Sequence, residues 1–445
     1  MSSTYVYLAA CVAATAGLLF GFDIAVINGA IIFLQSAFHL NDLQTEAATS
    51  SLLFGCIFGS SGAGWLTDRI GRRRTLMLAG LGFALSAVGA ALPKTLDEFL
   101  IARFIGGLAI GAGSVLAPLY IAEIAPARMR GRLVSLNQMA IVTGILLAYL
   151  VNWGLSFLGS ASWRWMFAAA AIPAVALFVA LFFVPESPRW LVEMGRSREA
   201  LAVLAKVNGS AAAALELKEI EETVAQETGT LRELFQPPFR RPLLLASALA
   251  ILQQITGINT VLFYGALIFK QQVGQQNETA AIFANVIVGL INALATLVAL
   301  WIIDRAGRKP LLLLSSGVMA LSQAGLGLAF LSQPPSAALV LVMMLCCVTA
   351  FAVGLGPGVW VIIAEIFPTR VRGRAMSIAT FCLWCACTLL TMTFLTLTKA
   401  LSPTGAFLIY GAFCVVTFAI VYVALPETKG RSLEQIEHLW LEQKS

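Results

Sequence analysis

The chain has 445 residues, 59% of them hydrophobic and only 12% charged, with a net charge of +6. Soluble domains carry about 25% charged residues, so the composition excludes a soluble globular protein and indicates an integral membrane one. The positive balance sits at the ends of apolar runs, which makes it a topology signal and not a nucleic-acid-binding one.

Apolar runs of 18 or more residues read as membrane-spanning helices. Twelve follow in chain order, near 5–34, 47–67, 75–93, 97–121, 133–157, 164–184, 242–270, 280–303, 311–331, 337–364, 375–399 and 405–425. The alternation of a β-barrel is absent. The first run is too long for a cleavable signal and has no basic flank before it. It carries one carboxylate, Asp23, within LLFGFDIAVINGA. A charge at the centre of a membrane helix costs roughly 2.5–3.5 kcal/mol on insertion scales, so it calls for a partner. The fourth run carries the one basic residue left deep in a span, Arg103. At 1.5 Å per residue Asp23 lies about 16 Å, and Arg103 about 9 Å, below the outer end of its own helix, a gap an Arg side chain can close.

Between runs two and three stands WLTDRIGRRR, and after run four AEIAPARMRGR. Run five carries Gln138. PESPRW then opens a segment, 186–241, whose LELKEIEETVAQE has the pattern of a soluble amphipathic helix. Run seven carries Gln253, Gln254 and Asn259, and run eight Asn292. Gln253 and Asn259 are six residues apart, roughly 240° round a straight helix, so Thr256-Gly257 between them is expected to break it. WIIDRAGRKP at 301–310, AEIFPTRVRGR at 364–374 and PETKGR at 426–431 repeat the earlier motifs at offsets of 236, 242 and 241 residues. The chain is therefore a duplication: 1–185 and 242–428 as two parallel six-helix bundles, 186–241 as a helical linker, and 429–445 as a tail.

Placing both termini in the cytoplasm puts 24 of the 29 basic residues on the inner side. All eight cysteines fall in predicted spans and read as buried apolar side chains. A metal site from Cys382, Cys385 and Cys387 is disfavoured because neither histidine, His39 nor His438, is near. Asn277-Glu-Thr is a formal glycosylation acceptor, but nothing else suggests a eukaryotic source. No GxxxxGK[ST] motif is present to cradle ATP.

The two DRxGRR/K stretches, PESPRW, the paired AEI-P-R-RGR stretches, QQITGIN and PETKG resemble the sugar porter family of the major facilitator superfamily. With GFD and a membrane Arg, the chain is most similar to the bacterial proton-coupled sugar symporters. Animal glucose uniporters typically carry Asn where Asp23 stands. The resemblance covers the whole chain. It implies an inner gate built from Arg72, Arg130, Arg308 and Arg372 with the neighbouring acids Asp68, Glu123, Glu186, Asp304 and Glu365, and it places Trp360 and Trp384 at the sugar. Two departures bear on which sugar is bound: Leu383 stands where many relatives have Asn or Gln, and Ile145 where some pentose-binding relatives have Gln.

The residues agree with that resemblance. Amides both donate and accept, which suits a polyol, so Gln138, Gln253, Gln254, Asn259 and Asn292 are candidate substrate contacts. Phe20, Tyr264, Trp360 and Trp384 could offer flat surfaces to an apolar sugar face. Burial favours a neutral acid and a neighbouring Arg favours the carboxylate, so a changing Asp23–Arg103 distance would bind and release a proton. The expected function is a twelve-helix, proton-coupled hexose or pentose symporter working by alternating access. It is expected to be a functional monomer in a bacterial inner membrane, without a cofactor, a metal or a nucleic-acid partner. The rivals are a facilitative sugar or polyol uniporter and a non-transporting sugar sensor, which would be expected to carry a long cytoplasmic extension. No nucleophile–base pair or metal constellation suggests an enzyme.

Overall fold

A continuous 37-residue helix, α1 (Ser2–Phe38), opens the fold. The computed structural model describes residues 2–126, 129–226, 231–237, 239–272, 277–332, 334–367 and 369–427, and no strand occurs among them. The first five spans are α1, α2 (Asp42–Ile70), α3 (Arg72–Ala91), α4 (Leu96–Ile124) and α5 (Arg130–Leu155). The sixth is divided into α6 (Ser162–Ala168) and α7 (Ala171–Ala180). Three short helices, α8 (Pro188–Glu193), α9 (Ser197–Asn208) and α10 (Ser210–Gln226), fill the linker.

Span seven is α11 (Arg240–Ile255) and α12 (Ile258–Leu267), followed by α13 (Glu278–Ala306) and α14 (Arg308–Ala329). Span ten is split into α15 (Ala337–Val353) and α16 (Leu355–Glu365). The last two spans lie in α17 (Thr369–Ala424), which breaks at Ser402, φ 62°, just before Pro403. Twelve spans are thus present among the described residues, each where an apolar run is found. The expected tail, 429–445, lies outside the described residues. Lipid-facing positions are apolar on many helices: Ile172 is 77% exposed and Val423 82%. Only a hydrocarbon surrounding stabilises such a surface.

Contacts divide the chain into two units, Met1–Val26 with Ser51–Ala148 and Arg164–Thr228, and Ile27–Ser50 with Tyr149–Trp163 and Gly229–Ser445. The unit boundary does not follow the repeat boundary. Segments 27–50 and 149–163, although part of the first repeat, pack with the second.

The duplicated motifs build the same joint twice. Gly71 (φ 97°) separates α2 from α3, and Gly307 (φ 90°) separates α13 from α14. Glu186, from PESPRW, accepts the Arg73 N–H at 3.0 Å and the Ser187 N–H at 2.9 Å. Glu427, from PETKGR, accepts the Arg308 and Lys309 N–H groups, each at 3.1 Å. A carboxylate over the first turn of a helix satisfies orphan donors and complements the dipole. Each glycine also leaves room for its glutamate: a Cβ on Gly307 would lie 2.8 Å from Glu427 Oε2.

The break expected at Thr256-Gly257 is present. Gly257 takes the left-handed conformation, φ 84° and ψ 6°, between α11 and α12. The Thr256 carbonyl accepts from Gln323 Nε2 at 2.7 Å. A Cβ at Gly257 would lie 2.6 Å from Tyr410 Cδ2 and 2.7 Å from Gln323 Nε2. Gly257→Ala is therefore expected to destabilise the protein by about 1–3 kcal/mol, read as a lower Tm in detergent. An unchanged Tm would mean the hinge tolerates a side chain.

The tenth span differs from the continuous helix its hydropathy suggests. Gly354, at φ −124° and ψ −78°, breaks it. Ser315 of α14 repairs the gap, donating to the Ala350 carbonyl at 2.7 Å and accepting the Leu355 N–H at 3.1 Å.

Candidate functional site

Asp23 and Arg103 meet inside the first unit. Asp23 is 2% exposed and Arg103 fully buried. One guanidinium nitrogen lies 3.4 Å from Asp23 Oδ1, and another donates to the Asp23 carbonyl at 2.9 Å. The guanidinium carbon stands 5.2 Å from the Phe167 ring centroid. Asp23 Oδ2 and Arg103 Nε have no hydrogen-bond partner among the described residues. The pair is thus long, incompletely bonded and fully desolvated, an arrangement in which removing one charge strands the other. In the same unit Phe20 and Gln138 are half-buried on α1 and α5. The two helices touch closely enough that a Cβ on Gly21 would collide with the Ile141 carbonyl.

The second unit holds a relay of amides around the two helix breaks. Gln253 Nε2 donates to the Leu355 and Gly356 carbonyls at 2.7 and 3.0 Å, in the first turn of α16 just after the Gly354 break. Gln253 Oε1 accepts from Gln254 Nε2 at 3.1 Å, and Gln254 Oε1 accepts from Asn259 Nδ2 at 2.6 Å. Asn259 Nδ2 also lies 3.2 Å from Cys387 Sγ. The left-handed turn at Gly257 is what lets residues 253, 254 and 259 bond in one line. Gln253 is occupied at both ends by protein groups and ties α11 to the broken tenth span. Trp384 is buried on α17, Trp360 half-buried on α16, and Asn292 buried on α13.

Tyr264 is placed elsewhere. It is fully buried, its hydroxyl donates to the Thr391 carbonyl at 2.8 Å, and its ring lies 5.0 Å from that of Phe394. It belongs with a second set of contacts, at the end of α2 opposite Arg69. There Asn28 accepts the Ala266 N–H at 2.9 Å and donates to the Leu262 carbonyl at 2.7 Å. Tyr149 donates to the same carbonyl at 3.0 Å. Glu46 of α2 bonds Thr396 of α17 through both oxygens. Sequence reasoning missed Asn28, Tyr149 and Glu46. Their signal was a polar group near the end of an apolar run, which looks the same as an interfacial residue.

The charged clusters pair inside each unit. Arg72, 5% exposed, holds Glu123 and Glu193 at 3.0 Å each, with Asp68 at 3.9 Å. Arg308 holds Glu365 at 3.0 Å. Arg130 is exposed, and Glu186 serves the helix joint described above. Arg372 donates through Nε to the Phe367 carbonyl at 3.2 Å, and one of its terminal nitrogens is buried without a partner among the described residues. Arg128 and the Asp304 side chain lie outside the described residues. Arg72→Ala leaves Glu123 buried and unpaired, which is expected to cost about 3–5 kcal/mol. Adding Glu123→Gln should recover part of it. Equal Tm losses in the single and double variants would show the pair to be unimportant.

Comparison with known proteins covers nearly the full chain. A family model described as sugar (and other) transporter matches residues 9–440. The chain is 39% identical to the arabinose-proton symporter of Bacillus subtilis (strain 168), over 99% of this chain and 96% of that one. It is 37% identical to the D-xylose-proton symporter of Escherichia coli (strain K12), again over 99% and 96%. The solved structure of the MFS (major facilitator superfamily) proton:xylose symporter XylE bound to 6-bromo-6-deoxy-D-glucose superposes with a TM-score of 0.84 at 36% identity. That match covers 99% of this chain and 100% of the other.

Proposed function

We propose a function from one premise: the chain belongs to the sugar (and other) transporter family, and it is a proton-coupled monosaccharide symporter working by alternating access. It is a multi-pass membrane transporter and not an enzyme. The observation that carries the proton coupling is the buried Asp23–Arg103 pair with one carboxylate oxygen left unbonded. A carboxylate so placed can take a proton without first losing a strong partner, and its protonation frees the guanidinium. The sugar contacts are Gln254 and Asn259, with Gln253 positioning them. Asn292, Trp360 and Trp384 extend this set within the second unit, and Phe20 and Gln138 are sugar contacts carried by the first. Tyr264 is left out of it because its hydroxyl and ring are already engaged.

The arginine-rich ends face the cytoplasm, and the protein works as a monomer in a bacterial inner membrane. The basic residues support that orientation, and the bacterial sources of the relatives support the location. Arg72 with Glu123, and Arg308 with Glu365, brace the inner ends of the two repeats while the path on that side changes width.

The test is uptake into proteoliposomes of xylose, arabinose, galactose and glucose, with and without an imposed pH gradient. Accumulation of one of them only when the outside is acidic is the expected result. Uptake that never exceeds equilibration under any gradient would establish a uniporter instead.

A further inference from the structure

Glu46 is a buried carboxylate that the reading above does not use. It is 2% exposed, on the second turn of α2. Its Oε1 accepts the Thr396 N–H at 2.7 Å and its Oε2 accepts the Thr396 hydroxyl at 2.8 Å. No Lys or Arg pairs with it among the described residues. One turn outward, Asp42 and Lys399 make a separate ion pair at 2.6 Å. The titratable groups in electrostatic reach of Glu46 are Tyr264 on α12 and Tyr410 on α17. On the α1 side the neighbouring Thr45 takes a hydrogen bond from Gln35, a neutral group, and His39 in the connecting turn is exposed.

We propose that Glu46 is a second proton-binding group of the transport cycle, a latch that joins α2 to α17 when ionised and lets them part when protonated. The chemistry follows from the two bonds. Both oxygens act as acceptors, which an ionised carboxylate satisfies completely. A protonated acid carries a donor on one oxygen, so the Thr396 hydroxyl must turn away or accept, and the bond from the N–H loses its charge assistance. α2 belongs to the first repeat and α17 to the second. Opening the path at this end separates them and gives Glu46 to water.

A proton taken up in the open form therefore opposes closure until it leaves. The latch is at full strength with Glu46 ionised and weakens when it is protonated. In the proposed orientation this end faces outside, so an acidic medium favours the form that loads sugar and proton.

The inference rests on the symport reading, and its test is independent of transport. Amide hydrogen exchange of residues 392–398 is measured in detergent, without sugar, between pH 7.5 and 5.5 and corrected for intrinsic rates. The wild type should exchange at least three-fold faster at pH 5.5. Glu46→Gln, which keeps the shape but cannot ionise, should exchange at one fast rate throughout. Asp42→Asn should keep the wild-type profile, because a pair whose lysine is exposed contributes little. A wild-type rate that does not change with pH, or the same pH profile in Glu46→Gln, overturns the proposal. Should Glu46→Gln fail to fold, Thr396→Val decides, since it removes the hydroxyl donor and keeps the N–H. It should be less protected than wild type at pH 7.5, where the latch is ionised, and wild-type protection at that pH also overturns the latch.

Discussion

Replacing Asp23 by Asn is expected to abolish accumulation of sugar against a gradient while exchange down the gradient continues. The amide fills the same space and can still accept from Arg103, which also keeps its bond to the residue 23 carbonyl, so the fold should survive at a lowered Tm despite the stranded guanidinium. What disappears is the titration. The driving force at stake is about 2.3 kcal/mol per charge for each 100 mV, which corresponds to roughly a fifty-fold gradient. Sugar-driven proton entry, followed with a pH dye in vesicles, should fall to background. Proton entry equal to wild type would make Asp23 a structural charge only.

The second large effect concerns the amide relay. Asn259→Ala should weaken sugar affinity about ten- to one hundred-fold, because it deletes a proposed sugar contact and leaves Gln254 Oε1 buried without its donor. The Tm should move little. Gln253→Ala should behave in the opposite proportion. Its side chain joins two broken spans through Leu355 and Gly356, so its loss should lower Tm as well as affinity. Calorimetric titration beside thermal unfolding separates the two. Unchanged affinity in Asn259→Ala would remove α12 from the sugar site.

The architecture was legible wherever the signal is periodic or repeated. Long apolar runs gave all twelve spans, and the echo of DRIGRR in DRAGRK gave the duplication. The Thr256-Gly257 break could be anticipated because Gln253 and Asn259, six residues apart, cannot share one face of a straight helix. The break at Gly354 could not. Its flanks are uniformly apolar, and the groups that repair it, Ser315 and Gln253, come from other spans.

The site was readable where charge is expensive, as at Asp23, and unreadable where its partner is a backbone group. Glu46 and Thr396 are 350 residues apart, and Asn28 and Leu262 are 234 apart. The paired motifs were read as one inner gate. In the structure Glu186, one of the acids named for it, caps a helix, as does Glu427 at the matching joint of the second repeat. A motif shows that charges recur, but not which backbone N–H lies beneath them.

The 80 residues between Asp23 and Arg103 also bear on how the protein is made. At about 5–20 residues per second, synthesis leaves α1 in or near the membrane for roughly 4–16 s before Arg103 exists. During that interval the carboxyl has no cation, so its partitioning rests on the apolar residues around it and on its own protonation. The Arg103 guanidinium, arriving later, meets an acid already in place. The pair is thus a reason for α4 to assemble against α1 and not a reason for α1 to insert. Arg103→Leu molecules should therefore fail at assembly, with α1 already inserted.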